Sequence, residues 1–420
     1  MLDMRLIREQ PEEIRQSLLK RMDEIDFHDL LSWDRERRSL ITEIDTLRER
    51  RNSTSSRIGA MKQAKEDTTA LQAQMKELSG KIKELEVSLE SMEGRIRSFL
   101  EALPNIPDPD VPAGGKERNH VLRVWGTERK LGFKPADHVG LATNLGLIDY
   151  ERGVKLGGSG YWLYRGDGAR LEWALLNYFV EAHLADGYEF ILPPHILTYQ
   201  CGYTAGQFPK FVDDVFHLKG EDSFLLPTAE TAIINLHRDE ILSEDELPKR
   251  YFAYTPCYRR EAGSYRTEER GSVRGHQFNK VEMFAFTTPE KSDSAFEELV
   301  GKAEKLVQGL GLYHRVTKLA AGDTSAAMAR TYDIEVWIPS MQEFKEVSSA
   351  SNARDYQARR GNIRFRRSST GRPEYVHTLN ASGLATSRLL PAILEQNQRA
   401  DGTVAVPEVL QKWLGKEILG

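Results

Sequence analysis

Cysteine is nearly missing from this 420-residue chain: Cys201 and Cys257 are the only two, and they form no CxxC pair. That leaves no basis for a disulfide framework or a cysteine-rich zinc site, and it points to the cytoplasm, where thiols stay reduced. No HExxH or comparable spacing occurs, so no zinc is expected. No apolar run approaches the ~18 residues of a membrane span. The stretch Met1 to Glu9 lacks the apolar centre of a signal peptide. An excess of one charge is also missing, since 58 Lys and Arg face 63 Asp and Glu, a formal net charge of −5. Any nucleic-acid surface must then be a local patch. Neither GxxxxGK[ST] nor a GxGxxG followed by a suitable acid occurs, which argues against P-loop and Rossmann nucleotide sites.

Proline is absent from Asp34 to Leu103, where the only glycines are Gly59, Gly80 and Gly94. In the second half of that stretch Leu71, Met75, Leu78, Ile82, Leu85, Leu89, Met92 and Ile96 alternate spacings of four and three, a heptad seam. The first half carries the same spacing through Trp33, Arg37, Leu40, Ile44, Leu47, Arg51, Thr54, Ile58 and Met61, interrupted by Arg37, Arg51 and Thr54. Lys65-Glu-Asp-Thr68 supplies a turn, so two antiparallel helices are expected, each of ~30 residues and about 45 Å long. A short amphipathic helix, Glu12 to Leu19, precedes them. Arg48, Arg50, Arg51, Arg57 and Lys62 cluster on the first helix with only Glu49 among them. By itself this pattern fits a dimerisation coiled coil, a spacer or a surface for a phosphate backbone. Pro104 to Pro112 holds four prolines in nine residues, an extended linker. The expected organisation is therefore an arm over 1–103, a linker over 104–112 and a globular domain over 113–420.

The globular part mixes short strands with single helices, which suggests an antiparallel or mixed sheet and an α+β fold. Leu171 to Leu184 has helical spacing and stops at Asp186-Gly187. Tyr188-Glu-Phe-Ile-Leu-Pro-Pro194 then reads as a strand ended by proline. Cys257-Tyr-Arg-Arg-Glu-Ala-Gly263 leads through a charged loop to Arg270-Gly-Ser-Val-Arg-Gly-His-Gln-Phe-Asn-Lys-Val-Glu282, with an alternating strand from Gln277 to Phe286. Two strands joined by such a loop can set an arginine fork, an aromatic ring and a carboxylate over one ligand, which suits a phosphate, a base and an ammonium or hydroxyl group. Four more segments follow: Leu226-Pro-Thr-Ala-Glu230, Glu346-Val-Ser-Ser-Ala-Ser-Asn-Ala-Arg-Asp-Tyr-Gln-Ala-Arg-Arg360, His377-Thr-Leu-Asn-Ala-Ser-Gly-Leu-Ala-Thr-Ser-Arg388, and Asp401-Gly-Thr-Val-Ala-Val-Pro-Glu-Val-Leu410. Thr228 could also be read as the N-cap of a helix from Ala229 to Leu236.

In this order the segments resemble motifs 1, 2 and 3 and the TxE loop of class II aminoacyl-tRNA synthetases, in the version of the seryl-tRNA synthetases. The resemblance covers the whole chain, the arm included. It implies a coiled-coil tRNA-binding arm followed by a catalytic domain on a mainly antiparallel sheet with flanking helices. The implied activity is ATP-dependent formation of seryl-adenylate, then transfer of serine to tRNA(Ser), with tRNA(Sec) a second candidate acceptor. The alternative is a paralogue that passes serine to a non-tRNA acceptor. The resemblance further implies a homodimer built through motif 1, Mg²⁺ with the ATP, and no membrane.

By the same resemblance, Arg259, Glu282 and Arg388 carry the chemistry. Thr228, Ala229, Glu230, Arg259, Glu282, Asn380 and Ser382 surround the serine. Arg259, Arg260, Glu261, Phe278, Glu346, Val347, Ser348, Ser349 and Arg388 take the ATP. Glu346 and Ser349 ligate Mg²⁺, on a serine-rich turn after a strand, and Arg48, Arg50, Arg51, Arg57 and Lys62 meet the tRNA. Two departures from the family pattern stand out. Ala381 replaces a frequent glycine and is expected to tighten a turn beside Ser382. Pro391 is expected to kink the helix that follows Arg388.

Overall fold

The structure is a computed structural model that describes residues 1–261 and 271–420; residues 262–270, within the motif 2 segment of the sequence, lie outside the described residues. Two compact units result, one of Leu2–Leu19 and Asp23–Leu103, the other of Met1–Met1, Lys20–Met22 and Pro104–Gly420.

The first unit is a helical hairpin, α1 (His28–Gln63) and α2 (Thr69–Ala102), preceded by short helices Met4–Glu9 and Pro11–Leu18. No seam position of either helix is exposed, while most residues between the seam positions are. Two of the polar interruptions have local reasons. Arg37 donates to Asp34 at 2.9 Å, and Asp34, fully buried, also takes Arg8 at 2.9 Å. Burial alone would raise the Asp34 carboxyl, but the arginines overrule it and hold it below its usual range. The Thr54 hydroxyl donates back to the Arg50 carbonyl at 2.9 Å, so its burial leaves no polar atom unpaired.

The second unit is built on eight strands: β1 (His120–Trp125), β2 (Glu189–Ile191), β3 (Lys249–Tyr258), β4 (Gln277–Thr287), β5 (His314–Lys318), β6 (Arg330–Ile338), β7 (Glu343–Arg354) and β8 (His377–Ala385). They lie in the order β1-β5-β6-β7-β8-β4-β3-β2, and every pair is antiparallel except β2 with β3. Helices α3 (Asp167–Ala185), α4 (Ser292–Gly309) and α6 (Thr386–Asn397) cover one face, and α5 (Tyr356–Gly361) follows β7. Strand alternation divides the sheet chemically. On β4, Val281, Met283 and Ala285 enter the large core under the helices. Phe278, Lys280 and Glu282 face the opposite side, and Phe284 and Phe286 continue that side into a smaller core.

Several local expectations change. The Tyr188–Pro194 strand shrinks to Glu189–Ile191, because Pro193 and Pro194 have no N–H for a ladder. The helix expected from Ala229 is one turn, Glu230–Ile233, continued as a 3₁₀ helix Ile234–His237; its N-cap position is Ala229, so Thr228 is not the cap. Ser348, Ser349 and Ser351 lie within β7 and not in a turn. Ala381 is mid-strand in β8, opposite Ala350 and Met283, with its methyl in the core; no turn exists there to tighten. The proline-rich stretch is not extended throughout, since it turns at Pro109-Asp110 with the Val111 N–H donating to the Asp108 carbonyl at 3.0 Å. It is docked: Asn105 Nδ2 donates to the carbonyls of Ala327 and Ala353, and Asp108 accepts from Arg354 at 2.7 Å.

Candidate active site

The cleft on the open face of the sheet encloses about 830 Å³ and collects residues that are distant in sequence. Its floor is set by register. Ser382 on β8 lies opposite Glu282 on β4, Asn380 opposite Ser351 on β7, and Asp333 on β6 opposite Ser349. Glu346 is an odd number of residues from Ser349, so a regular strand would point it to the other face. A bulge solves this: Ser348 pairs with Ile334 and Glu346 with Glu335, leaving Val347 as the extra residue. Glu346, Ser349 and Ser351 thereby share the cleft.

One end of the cleft is a buried acid pocket. Glu282 accepts from Asn380 Nδ2 at 2.9 Å and from the Thr228 hydroxyl at 3.4 Å, and it forms an ion pair with Lys280. Lys280 Nζ also donates to Thr228 Oγ1 at 2.8 Å. Glu230, buried in the same pocket, is pushed up to about 7 by burial and then by the Glu282 charge. Carboxylates this crowded favour a cation or hydroxyl donor between them.

The other end carries the arginines. Arg259 donates through Nε to the Pro227 carbonyl at 3.2 Å, and its guanidinium lies 5.1 Å from the centre of the Phe278 ring. Arg388, in the first turn of α6, donates to the Glu346 carboxylate at 2.9 Å, to the Glu346 carbonyl at 3.0 Å and to the Val273 carbonyl at 3.1 Å. Burial works against the Glu346 charge, but Arg388 and then Arg259 overrule it and hold the carboxyl below its usual range. Asp333 shifts the opposite way, well above the usual range, through burial and the nearby Glu346 charge, although it accepts from Ser349.

Of the sequence candidates, Thr228, Glu230, Arg259, Glu261, Glu282, Glu346, Ser349, Asn380, Ser382 and Arg388 line this cleft, and Phe278 and Val347 line a smaller pocket that shares Arg259, Glu346 and Arg388 with it. Three line neither. Ala229 is buried in the smaller core. The Ser348 hydroxyl donates to the Ser382 carbonyl at 2.6 Å, away from the cleft. The Arg260 side chain is exposed and reaches the Asp213 carbonyl at 3.4 Å. In the arm, Arg48 is engaged by Glu86 at 2.7 Å. Among the described residues no ion pair holds Arg50, Arg51, Arg57 or Lys62; Arg51 is half-buried in the seam and the other three are exposed.

Lys280, Asp333, Glu335 and Gln357 escape the motif reading. Three of them had a signal in strand alternation: Lys280 between Phe278 and Glu282, and Asp333 and Glu335 between the apolar Tyr332, Ile334 and Val336.

Comparison with known proteins extends this picture. Residues 1–107 match the family described as "Seryl-tRNA synthetase N-terminal domain", and 215–397 match "tRNA synthetase class II core domain (G, H, P, S and T)". The chain is 63% identical to "Serine--tRNA ligase 2" of Clostridium acetobutylicum and 47% identical to "Serine--tRNA ligase" of Petrotoga mobilis, over 100% of both chains in each case. In structure it resembles a seryl-tRNA synthetase from Pyrococcus horikoshii solved with ATP, at a TM-score of 0.94 and 36% identity over 100% of this chain and 99% of that one. A cytoplasmic serine-tRNA ligase from Naegleria fowleri, solved with AMP, superposes at 0.89 with 28% identity over 100% and 98%. End-to-end identity at this level, with the arm and the class II core both matched, makes this chain a member of the seryl-tRNA synthetase family.

Proposed function

We infer that the chain is a serine--tRNA ligase that activates L-serine with ATP, releases pyrophosphate and transfers the serine to the 3′ end of tRNA(Ser). One observation carries the reading: a buried carboxylate pocket opens into the same cleft as two arginines, and an aromatic ring lines the smaller pocket that shares them.

Serine enters the Thr228, Glu230, Glu282, Asn380 and Ser382 pocket, its ammonium and hydroxyl satisfying the acids. Alanine would leave a buried carboxylate unpaired, a contrast worth up to ~10⁴-fold in selectivity. Arg259 neutralises the α-phosphate and the attacking serine carboxylate. Arg388 takes the γ-phosphate, and the adenine lies between Phe278 and Arg388. For that, Arg259 and Arg388 must exchange their present contacts with Phe278 and Glu346 for the nucleotide. The serine carboxylate attacks the α-phosphorus and pyrophosphate leaves; the terminal ribose hydroxyl of tRNA then attacks the adenylate carbonyl, the acyl–phosphate bond breaks, and AMP and the hydroxyl proton are released. Catalysis is positioning and charge neutralisation, without a covalent enzyme intermediate.

Glu346 and Ser349 bring the hard oxygen donors that Mg²⁺ prefers to one side of the cleft, and Asp333, which accepts from Ser349, adds a third. Bound there, the ion would neutralise phosphate charge. Arg50, Arg51, Arg57 and Lys62 are available for tRNA phosphates, and tRNA(Sec) is the second acceptor to test. A homodimer through motif 1 is supported by the edge position of β2 and by the exposed side chains of Leu184, Phe190, Leu192 and Ile196 near it.

Pyrophosphate exchange across the amino acids, followed by charging of total tRNA, tests the reading. Serine alone should support exchange and should appear on tRNA. Exchange without charging would move the assignment to a non-tRNA acceptor.

A further inference from the structure

Gln357, the second residue of α5, does not line the cleft, yet its amide oxygen and both of its amide N–H groups are engaged beside the serine pocket. Its Oε1 accepts from the buried Thr378 hydroxyl at 2.7 Å. The hydroxyl could serve either end of the amide, so the orientation is fixed on the opposite side, where both partners only accept. There Nε2 donates to the Ala205 carbonyl at 3.0 Å and to Glu230 Oε1 at 2.7 Å. Both N–H groups are used, and flipping the amide would set an oxygen against a carbonyl and a carboxylate. Among the described residues the other oxygen of Glu230 has only Asn380 Nδ2, at 3.5 Å, too long to hold it, and is the one left for a ligand.

We propose that Gln357, its amide held in place by Thr378 and Ala205, is a specificity-positioning residue: it fixes Glu230 Oε1 so that Oε2 is presented to the ammonium or hydroxyl group of the amino acid. The charged groups around Glu230 are Glu282 and Lys280 from β4 and Arg259 from the segment after β3. Glu282 repels the charge on Glu230, and the Gln357 amide is the first group that favours it. The proposal rests on the serine-pocket reading above, because Gln357 acts only through Glu230.

The test compares half-saturation values for serine and ATP in pyrophosphate exchange. Gln357→Leu keeps the size and removes the amide; it should raise the serine value about tenfold or more, the scale of one hydrogen bond to a charged group, and leave the ATP value within about twofold. Thr378→Val is the second variant. It sits one residue further from the cleft and removes only the hydrogen bond that anchors the amide oxygen, so it should raise the serine value about threefold, again without touching ATP. Should Gln357→Leu fail to fold, Thr378→Val decides the matter, and unchanged serine saturation in it overturns the proposal. Equal weakening of serine and ATP by Gln357→Leu would make the residue general scaffold and overturn it as well. Glu230→Gln separates this from the underlying reading. If it impairs serine saturation and Gln357→Leu does not, only the positioning role falls; if it leaves serine saturation intact, the pocket assignment falls too.

Discussion

A carboxyl group buried beside a second carboxylate keeps its proton to higher pH, and Glu230 at about 7 is the clearest case in this cleft. Its ordinary value is ~4.3, so the folded chain binds that proton more tightly than the unfolded one. The resulting stability is fully present below that ordinary value and is lost as pH rises through about 7. Serine should reverse the bias, since its ammonium favours the ionised form. Calorimetry near pH 6 in two buffers of different ionisation enthalpy should therefore record proton release on serine binding, absent in Glu230→Gln. Arg259 gives the second prediction at this scale. Arg259→Ala should lower serine-dependent exchange by roughly 10²–10³, the effect of one lost transition-state contact, with little change in melting. Exchange within about threefold of the parent would remove Arg259 from the chemistry. Residues such as Arg259 and Glu282 were legible because their motif is continuous in sequence. Gln357 was not, because its role depends on Thr378 and Glu230, which only the folded sheet brings to it.

At the scale of elements, the seams, the turn after Gln63 and the long strand Gln277–Thr287 could all be read from periodicity, which reports one element's burial. What escaped was irregularity that answers to a neighbour. The bulge at Val347 shows only in the pairing with β6, so a strand looked like a strand and a turn. Pro391 is similar. It removes an N–H from α6, yet the helix runs on from Thr386 to Asn397. The carbonyl left without its helical donor belongs to Ser387, and the fully buried Ser272 hydroxyl donates to it at 3.2 Å. The proline therefore frees an acceptor that fastens the end of the motif 2 segment to the helix carrying Arg388. Ser272→Ala should cost about 1–3 kcal/mol, the penalty of an unpaired buried carbonyl. Adding Pro391→Ala should recover most of that, because the restored N–H takes the carbonyl. A double-mutant cycle by chemical denaturation checks it, and a coupling below ~0.5 kcal/mol would mean that the two sites act independently.

For the molecule as a whole, the division of labour follows from where each unit finds its contacts. The hairpin buries its seams against itself, and the residues of the cleft all come from the second unit. Even Pro104 to Pro112, expected as an extended linker, is held within the second unit by Asn105 and Asp108. Arg21 adds to this by donating to the carbonyls of Asn105 at 2.9 Å, Ala321 at 2.9 Å and Thr324 at 3.0 Å. Deleting residues 44–86 and closing the gap with a short turn should thus leave those anchors and the cleft intact. The shortened protein should make seryl-adenylate at a rate close to the parent's, since no cleft residue is touched. Its transfer to tRNA should collapse, because Arg48, Arg50, Arg51, Arg57 and Lys62 go with the deleted segment. In the parent, tRNA affinity should fall steeply with salt as phosphate contacts release counterions, and the slope should shrink in the deletion by about one unit per lost contact. Measuring exchange, charging and the salt slope on the same two proteins separates the possibilities. Loss of exchange would show that the arm supports the fold of the second unit. Undiminished charging with an unchanged slope would make the arm a spacer, and a non-tRNA acceptor for serine would then become the better reading.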